Sequence, residues 1–540
     1  MSVDPSRPWF KSYDPKTPHS VLDIIPDNVL VMVEESIAKN GPKPAFTCLN
    51  DTITYNDVNE ASRALAAFMQ KEIGLSRGDR VAIALPNFIP FPITMMANIF
   101  AGHTQVNVNP MYTTEEMEHQ LNDSGSEVLV VGGPALATFA KIAKDTSVKK
   151  AILVSIPGFD LIDIPGVETV SFDEATSRYT PADYVRPEVV GEDLIYLQYT
   201  GGTTGFSKGA MLTHHNLAAN ITQTNSWLFG DRQLEDAVVI TALPLYHIFA
   251  LMVNTLTMFM HGAHNVLVPN PADMPGFVDT MKKYPPTIFT GVNTLYNGLL
   301  MQPNVTDIDF SKLLVAVGGG APVQEVVSQK WRDVTGQHIL EGYGLSETSP
   351  ILTCNRPGSD DFKSSIGLPL ADTDISIRDD DGNGVPTGSP GELCAAGPQV
   401  MAGYWGQLEK TAEVMYEDGY FKTGDIAVMD ATGHFKIVDR KKDMVLVSGF
   451  NVFPNEIEDH LSRMEGVIEC ACIGVPDERA GEAVKVFVVV ADGADLTADS
   501  VRDFCRTGLT GYKIPRHVTF LDALPKSTVG KILRRELRNY

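Results

Sequence analysis

The 540-residue sequence has few cysteines and a shortage of positive charge. Cys470 and Cys472 are separated by a single residue, which does not fit the usual C-x-x-C spacing of metal and redox sites. The other four are scattered, so we expect reduced, buried thiols in a cytosolic protein. There are 43 Lys and Arg against 67 Asp and Glu, and the formal net charge of −24 argues against nucleic acid as the main partner.

The chain also lacks the patterns of a secreted or membrane-spanning protein. Residues 1–18 have no apolar core behind basic residues, so no signal peptide is expected. The stretch Ala237–Met260 has no Asp, Glu, Lys or Arg and is long enough to cross a bilayer. Because Pro244, His247 and Asn254 interrupt it, we expect a buried strand, a functional turn and a buried helix there instead.

One segment near the C-terminus, in contrast, has an excess of basic residues. Residues 501–540 contain nine Lys or Arg and three Asp or Glu, a local charge of +6 by that count. Such a segment is typical either of a solvated basic surface or of a contact with a polyanionic substrate, such as a nucleotide or coenzyme A.

Short apolar runs alternate with amphipathic ones up to about residue 375. Val81–Leu85 is followed by Phe91–Phe100, and Val128–Val131 by Ala135–Ala143. This strand–loop–helix alternation predicts an α/β fold with largely parallel sheets, whose ligand-binding loops lie at the carboxyl ends of the strands.

The later part of the chain has a different pattern. Residues 379–384 and 388–391 are turn clusters, which favour antiparallel or barrel-like β-structure. Five consecutive charged residues, 439–443, lie between two strand-like runs. We therefore predict a large N-terminal domain of α/β subdomains with a β-barrel-like part (residues 1–439) and a small, mobile C-terminal α+β domain (residues 440–540).

The segment Tyr199–Ala210 reads Y-T-G-G-T-T-G-F-S-K-G-A. Glycines allow consecutive backbone N–H groups to converge on an anion, while threonine hydroxyls and Lys208 add donors for phosphate oxygens. The common phosphate loop has glycine before its lysine, whereas Ser207 stands there in this chain. The segment predicts a phosphate site of another type, with a flexible polar turn as the alternative.

Four further segments carry reactive side chains at predicted turns: Leu243–His247 (L-P-L-Y-H), Gly342–Glu347 (G-Y-G-L-S-E), Tyr420–Asp425 (Y-F-K-T-G-D) and Pro525–Lys531 (P-K-S-T-V-G-K). Together with the glycine-rich segment and in this order, they resemble the adenylate-forming superfamily of acyl-CoA synthetases, adenylation domains and luciferases. The resemblance extends from Thr54 to Leu537. Within it, Asp418–Gly449 is similar to the signature of bacterial long-chain fatty acid–CoA ligases.

The resemblance implies an acid–thiol ligase that uses ATP, Mg²⁺ and coenzyme A. A fatty acid carboxylate attacks the α-phosphate of ATP, pyrophosphate departs, and the thiol of CoA then displaces AMP. Attack of one anion on another requires positive charge and oriented donors around both. The implied ATP-binding residues are Thr200, Gly201, Gly202, Thr203, Thr204, Gly205, Lys208, Gly319, Gly320, Ala321, Pro322, Gly342, Tyr343, Gly344, Ser346, Asp425, Ile437, Arg440 and Lys531.

Roles within this set also follow from the resemblance. Lys208 and the threonine hydroxyls would hold the β- and γ-phosphates, Tyr343 would stack on adenine, and Asp425 and Arg440 would bind the ribose. Mg²⁺ usually takes one or two carboxylates plus phosphate oxygens, so one glutamate is enough. The implied metal ligands are Thr200 and Glu347, and the implied catalytic residues are Lys531, His247, Glu347 and Thr200.

The remaining implied residues concern the acyl chain and CoA. Leu251 and Gly291 would line an acyl tunnel, although apolar residues there fit an ordinary core equally well. Ser448, Gly449 and Phe450 would flank CoA, and Lys442 would be a hinge. Since Lys531 serves the first half-reaction and the 448–450 edge the second, the C-terminal domain is expected to alternate between two orientations.

Several alternatives remain at this point. A medium-chain or aryl acid–CoA ligase is the alternative within the superfamily, and a non-catalytic lipid-binding relative is the alternative outside it. An amino-acid adenylation domain is disfavoured because Tyr246-His247 stands where those enzymes carry Phe-Asp. We expect a cytoplasmic protein; peripheral contact with the inner face of the cytoplasmic membrane, for example through Trp9–Lys11, and a homodimer are left open.

Overall fold

The computed structural model describes residues 3–4, 6–200, 207–230, 232, 234–358, 364–477, 479–491, 493–527 and 530–540. The strands in chain order are β1 (Pro44–Cys48), β2 (Asp51–Thr54), β3 (Arg80–Ala84), β4 (Thr104–Asn107), β5 (Val128–Gly132), β6 (Lys150–Val154), β7 (Glu168–Ser171), β8 (Leu194–Thr200), β9 (Lys208–Thr213), β10 (Val238–Thr241), β11 (His264–Leu267), β12 (Ile288–Gly291), β13 (Val315–Gly318), β14 (Leu340–Gly344), β15 (Ile351–Cys354), β16 (Leu368–Pro369), β17 (Asp374–Arg378), β18 (Gly391–Ala396), β19 (Phe421–Met429), β20 (Phe435–Arg440), β21 (Val445–Val447), β22 (Phe450–Val452), β23 (Val467–Asp477), β24 (Gly481–Val490) and β25 (His517–Phe520).

The α-helices are α1 (Val29–Asn40), α2 (Tyr55–Phe68), α3 (Pro90–Ala101), α4 (Thr114–Ser124), α5 (Pro134–Ile142), α6 (Phe172–Ser177), α7 (His214–Leu228), α8 (Met258–Met260), α9 (Met274–Lys283), α10 (Asn293–Leu300), α11 (Glu325–Thr335), α12 (Leu408–Val414), α13 (Pro454–Leu461), α14 (Ala498–Arg506) and α15 (Arg534–Leu537). Local sequence explains several starts. Thr113 and Glu116 form a capping box at the start of α4, and Thr213 and Asn216 form one at α7.

Two mostly parallel sheets form the large N-terminal part, as the alternating pattern predicts. One has seven strands in the order β7-β6-β5-β3-β4-β8-β9, and within it only β9 pairs antiparallel. The other has nine strands in the order β16-β15-β14-β13-β12-β10-β11-β1-β2, with a parallel centre from β14 to β1. Every residue of β5, β12 and β13 is buried, as expected for strands covered on both faces.

The region after residue 370 is antiparallel, which confirms that part of the prediction. Strands β17-β18-β19-β20 form a four-stranded sheet with antiparallel neighbours. The sheet is open along this path, so the barrel-like expectation is corrected to an open sheet in the described residues. Strand β20 continues into the charged run 439–443 as far as Arg440, which brings Arg440 opposite Asp425 on β19.

A small C-terminal domain follows with its own sheet and cores. Strands β22-β21-β24-β23, with β25 paired to β24, are packed against α13 and α14. Its buried residues form clusters separate from the core of the large domain. The fold class is therefore confirmed: a large mixed α/β domain and a small C-terminal domain.

Two further expectations concern exposed or apolar segments. The charge-free stretch is strand β10, a turn, a π-helical segment (Ala250–Thr257) and α8. Across the described residues, every helix is either too short or too polar to span a bilayer. Trp9 is buried and packs on Phe435 with ring centroids 5.9 Å apart, so it belongs to the core. All six cysteines are free and buried, as expected.

Candidate active site

One cavity of about 840 Å³ lies where the two domains and the carboxyl ends of the parallel strands meet. Loops at such strand ends are the usual ligand sites of α/β folds. The predicted residues that line it are Thr200, Lys208, His247, Gly319, Gly320, Gly342, Tyr343, Gly344, Ser346, Glu347, Asp425, Arg440, Lys442 and Lys531. Residues from all five sequence motifs are thus brought together, while Gly201, Gly202, Thr203, Thr204 and Gly205 lie outside the described residues.

Lys208 is the first residue of β9, at the end of the β8–β9 hairpin where the connecting loop joins the strands. It is paired with Thr200 across the antiparallel ladder, so both side chains of the predicted phosphate site line the cavity. The other edge of β9 is bonded to residues 402–405, because Met211 N–H donates to Gly403 O at 2.9 Å and Trp405 N–H donates to Gly209 O at 2.8 Å. Lys208 therefore stands on a strand that is paired on both sides.

Tyr404 connects Lys208 with Glu347. The Lys208 ammonium lies 4.8 Å from the centre of the Tyr404 ring, and the Tyr404 hydroxyl donates to Glu347 Oε1 at 2.8 Å. Burial raises the pKa of Glu347, while the bond from Tyr404 and the charge of Lys208 act in the opposite direction. The described residues contain no group of three or more His, Cys, Asp or Glu that could hold a metal by itself.

Asp425, Tyr343 and Arg440 form a second polar cluster. The Tyr343 hydroxyl donates to Asp425 Oδ2 at 2.6 Å, and Arg440 Nε lies 3.7 Å from Asp425 Oδ1. Burial raises the pKa of Asp425 although Arg440 and Tyr343 favour its charged form. A buried carboxylate with a neighbouring guanidinium can accept hydrogen bonds from vicinal hydroxyl groups of a ligand and donate one in return.

Lys531 enters the cavity from the C-terminal domain. A Cβ built on Gly320 would lie 3.2 Å from Lys531 Cε, so the lysine stem packs directly on this glycine. Burial and the charge of Arg440 lower the pKa of Lys531 to about 8. Next to it, the Thr294 hydroxyl donates to Gly530 O at 3.4 Å, a contact between the two domains.

His247 lies after β10 and close to Lys531. Burial and the positive charge of Lys531 lower the pKa of His247 to about 3, so the imidazole is neutral at physiological pH. Its Nδ1 accepts a long hydrogen bond from Phe249 N–H at 3.4 Å. That bond favours the tautomer with the proton on Nε2, in which the ring has an N–H that can donate to a ligand.

Part of the cavity lining is apolar, and sequence reasoning missed it. We call this part the apolar wall; it consists of Trp227, Leu228, Val253, Pro350, Ile351 and Leu370. Trp227 is held by its indole N–H, which donates to Asn355 O at 3.3 Å. The residues come from four separate segments, so the sequence signal was only an apolar face of α7, which fits an ordinary core as well.

The other predicted residues are not among those that line the cavity. Leu251 is fully buried in the π-helical segment, and Gly291 ends β12 against the ring of Tyr296. Ala321, Pro322 and Ile437 lie in the loop after β13 and on β20, beside residues that do line it. Ser448 and Gly449 form the exposed turn between β21 and β22, both with positive φ, and Phe450 is exposed and stacked on Tyr512 at 4.7 Å.

Comparison with known families decides the classification. Residues 33–405 match the model of the AMP-binding enzyme family, and residues 456–531 match that of the AMP-binding enzyme C-terminal domain. The chain belongs to the AMP-binding enzyme family. Lys531 is the last residue of the second match, while Asp425 and Arg440 lie between the two matched regions. The resemblance drawn from the five motifs is therefore confirmed.

This AMP-binding enzyme is similar to characterised relatives over nearly its whole length. It is 46% identical to the long-chain-fatty-acid–CoA ligase of Escherichia coli O6:H1, with 98% of each chain covered, and 43% identical to that of Haemophilus influenzae, again with 98% of each covered. In structure it resembles ATP-bound MatB of Rhodopseudomonas palustris, with a TM-score of 0.83, 30% identity, and coverage of 95% of this chain and 98% of the other.

Proposed function

We propose that this AMP-binding enzyme is a long-chain fatty acid–CoA ligase that forms acyl-CoA through acyl-AMP. The observation that carries the proposal is one cavity that is lined by several lysines, two buried carboxylates, a neutral histidine and the apolar wall; the lysines proposed to contact ATP are Lys208 and Lys531. Its volume of about 840 Å³ lies in the range of roughly 300–1,000 Å³ that is usual for ligand sites. The identity of the relatives, up to 46% over 98% of the chain, supports the fatty acid as substrate.

ATP would lie across the two polar clusters. Lys208 and the Thr200 hydroxyl would bind the β- and γ-phosphates. The two residues are paired with each other at the loop end of the hairpin, and β9 is also bonded along its other edge. The Asp425 carboxylate would accept from the ribose hydroxyls and Arg440 would donate to one of them. Adenine would pack between Tyr343 and the loop after β13, which contains Gly319 and Gly320, with Ala321, Pro322 and Ile437 beside it.

Glu347 fits the demands of Mg²⁺ in this setting. The ion takes few protein carboxylates and completes its octahedron with phosphate oxygens and water, so one buried glutamate beside Lys208 is a sufficient donor set. The bond from Tyr404 orients the Oε1 atom and leaves Oε2 for the ion. Bound there, Mg²⁺ would supply charge neutralisation for the departing pyrophosphate.

In the first half-reaction, a fatty acid carboxylate oxygen attacks the α-phosphorus and the bond to the pyrophosphate oxygen breaks. Lys531 is proposed to bridge the two anions, because an ammonium inserted between them stabilises the charge that develops in the transition state. His247, neutral with a free Nε2–H, would donate to the attacking carboxylate and hold it in line. No proton is transferred in this step, so neither residue acts as an acid or base.

In the second half-reaction, the CoA thiol gives its proton to solvent and its sulfur attacks the acyl carbon, the bond from that carbon to the phosphate oxygen breaks, and AMP leaves. Ser448, Gly449 and Phe450 are proposed to contact CoA, yet in this orientation their turn is exposed and does not line the cavity. We therefore propose that residues 440–540 rotate about Lys442 between the two steps. The present orientation, with Lys531 in the cavity, serves adenylate formation.

The apolar wall is the proposed site of the acyl chain. Burying each methylene against it would contribute about 0.8 kcal/mol, so a long chain gains much more than an acetyl group. Leu251 and Gly291 remain predictions for a deeper tunnel. The chain length at which this gain ends depends on where the wall closes.

We also propose where the enzyme acts and leave its oligomeric state to a test. A cytoplasmic enzyme for long-chain acids would take them up from the inner face of the cytoplasmic membrane. The exposed Ile24 and Leu22 on the N-terminal arm favour a peripheral contact, whereas the buried Trp9 does not take part. Flotation with vesicles that carry oleic acid, compared for the wild type and Ile24→Asp, tests this contact, and sedimentation velocity tests the homodimer.

The function is tested by pyrophosphate release from ATP with saturated acids of six to eighteen carbons and with benzoate and coumarate, each with and without CoA. We expect release to require Mg²⁺ and to be fastest with long-chain acids, and acyl-CoA to appear when CoA is added. Fastest release with an aromatic acid would favour the aryl acid–CoA ligase, and absence of release with every acid would reject the enzyme assignment altogether.

A further inference from the structure

Helix α4 contacts the β8–β9 hairpin next to Thr200 and Lys208. The Tyr199 hydroxyl, one residue before Thr200, donates to Asp123 Oδ2 at 2.6 Å. His119 Nε2 bonds the carbonyl oxygen of Ser207, one residue before Lys208, at 3.0 Å. Positions 119 and 123 are four residues apart, so they lie on one face of the helix. A single helix face therefore contacts both strands of the hairpin next to the residues that line the cavity.

Asp123 also contacts the segment 402–405, which is bonded to the other edge of β9. Its carbonyl oxygen accepts the indole N–H of Trp405 at 3.2 Å, while its carboxylate binds Tyr199. The strand β9 runs between these two partners, and a Cβ on Gly209 would lie 3.1 Å from Tyr199 Cε2. Burial and the charge of Asp123 raise the pKa of Tyr199, so the phenol remains a donor. Asp123 thus fixes the neighbours of Lys208 on both sides.

We propose that Asp123 and His119 are positioning residues for ATP: they act through Tyr199 and Ser207 to set where Thr200 and Lys208 point. This inference rests on the proposed function, in which those two side chains bind the β- and γ-phosphates. Neither α4 residue lines the main cavity; both line a separate outer groove of about 700 Å³. Because that groove is open to solvent, substitutions there need not disturb a packed core.

The test compares ATP dissociation constants by equilibrium dialysis in the intact protein. Asp123→Ala and Tyr199→Phe should each weaken ATP binding about tenfold, the loss typical of a hydrogen bond to a charged group. The double variant should be no worse than either single one, because both remove the same contact. Asp123→Asn should bind ATP nearly as well as the wild type, since its amide oxygen still accepts from Tyr199.

The contact between His119 and Ser207 is tested by the same measurement of ATP dissociation constants. His119→Gln keeps a donor for the Ser207 carbonyl and should retain affinity, whereas His119→Leu should lose it. Glu115→Ala is the matched control, on the same helix and the same groove without a bond to the hairpin. In every variant, thioester formation from supplied acyl-AMP should equal that of the wild type, because that step does not use the β- and γ-phosphates.

Three results would overturn the inference: wild-type ATP affinity in both Asp123→Ala and Tyr199→Phe, additive losses in the double variant, or an equal loss in both half-reactions. The last would indicate a merely structural role. A wild-type protein that binds ATP but forms no acyl-AMP from any acid would refute the proposed function alone, and the dissociation constants would still decide this inference.

Discussion

Lys208 and Lys531 reach the same cavity from parts of the chain that are held in very different ways. Lys208 stands on a strand bonded along both edges and braced by Tyr404. Lys531 stands on a loop that meets the large domain at Gly320 and through a long hydrogen bond from Thr294 to Gly530. A side chain needed throughout nucleotide binding can be built into a sheet, whereas one needed in a single step can be delivered and withdrawn.

The two lysines also differ in how well their surroundings stabilise their charge. Lys531 is desolvated beside Arg440, and its lowered pKa shows that its charge is poorly stabilised before substrates arrive. The negative charge of bound ATP would favour the lysine in the cavity, and its loss as pyrophosphate leaves would weaken that preference. The comparison therefore predicts that the two lysines can be separated by experiment.

The largest effect is expected for Lys531→Ala. Removing a group that stabilises developing charge costs about a hundredfold to a thousandfold in rate, so acyl-AMP formation should nearly vanish with little change in the KM for ATP. Thioester formation from supplied acyl-AMP should remain. Lys526→Ala is the control, because this lysine of the same loop is paired with Glu469 at the surface. Equal loss of both half-reactions would remove the distinction between the lysines.

Lys208→Ala should affect the same half-reaction in another way. Because Lys208 is proposed to contact the phosphates already in the ground state, its removal should raise the KM for ATP, by about tenfold to a hundredfold for a charged contact. Steady-state kinetics of pyrophosphate release at varied ATP measure this. A variant with normal KM and a very low kcat would mean that Lys208 acts like Lys531.

The pH dependence should distinguish the two lysines as well. The proposed role of Lys531 requires its charged form, and burial together with the charge of Arg440 lowers the pKa of Lys531 to about 8. Its contribution is complete at lower pH and is lost as the pH rises through this value, so kcat/KM for ATP should fall about tenfold from about pH 7 to pH 9. Thioester formation from acyl-AMP should lack this decline. In Lys531→Arg the decline should disappear, since guanidinium stays charged.

Gly320→Ala should give the smallest of these effects. Gly320 has φ of +76°, and the added Cβ would lie 3.2 Å from Lys531 Cε, so adenylation should fall by about fivefold through strain and displacement of the lysine. Gly336→Ala carries the same backbone strain at φ of +81° with open space around it. Adenylation rates that fall equally in both variants would show that the contact with Lys531 is unimportant.

The sequence predicted the motif-bearing parts of the site because local chemistry marks them. Glycine clusters, a histidine after a strand and charged residues at turns marked the segments, and their resemblance to adenylate-forming enzymes implied the site residues. The structure brings Lys208, His247, Glu347, Asp425 and Lys531 to one cavity. The parallel sheets followed from buried apolar runs of strand length. The domain boundary after 439 and the roles of individual residues remain predictions.

Other parts could not be found this way. The apolar wall joins residues such as Trp227, Ile351 and Leu370, which are far apart in the chain and look like core residues until packing leaves a space between them. The sequence did not indicate that Tyr404 belongs to the site. This residue reaches the site through a bridge to Ala210 on β9, which is far away in the chain. The open edge of the four-stranded sheet was also invisible, since turn spacing does not tell whether the first and last strands meet.

The position of Tyr404 between Lys208 and Glu347 affects how the site would receive a nucleotide. Its ring faces the Lys208 ammonium while its hydroxyl binds Glu347, so one phenol stands between the cation and the carboxylate and takes the place of a direct ion pair. Within the described residues no ion pair joins Lys208 to Glu347. Tyr404 acts as a spacer: because the two charged groups are held apart by the phenol, an incoming nucleotide would not have to break a salt bridge between Lys208 and Glu347 before it binds.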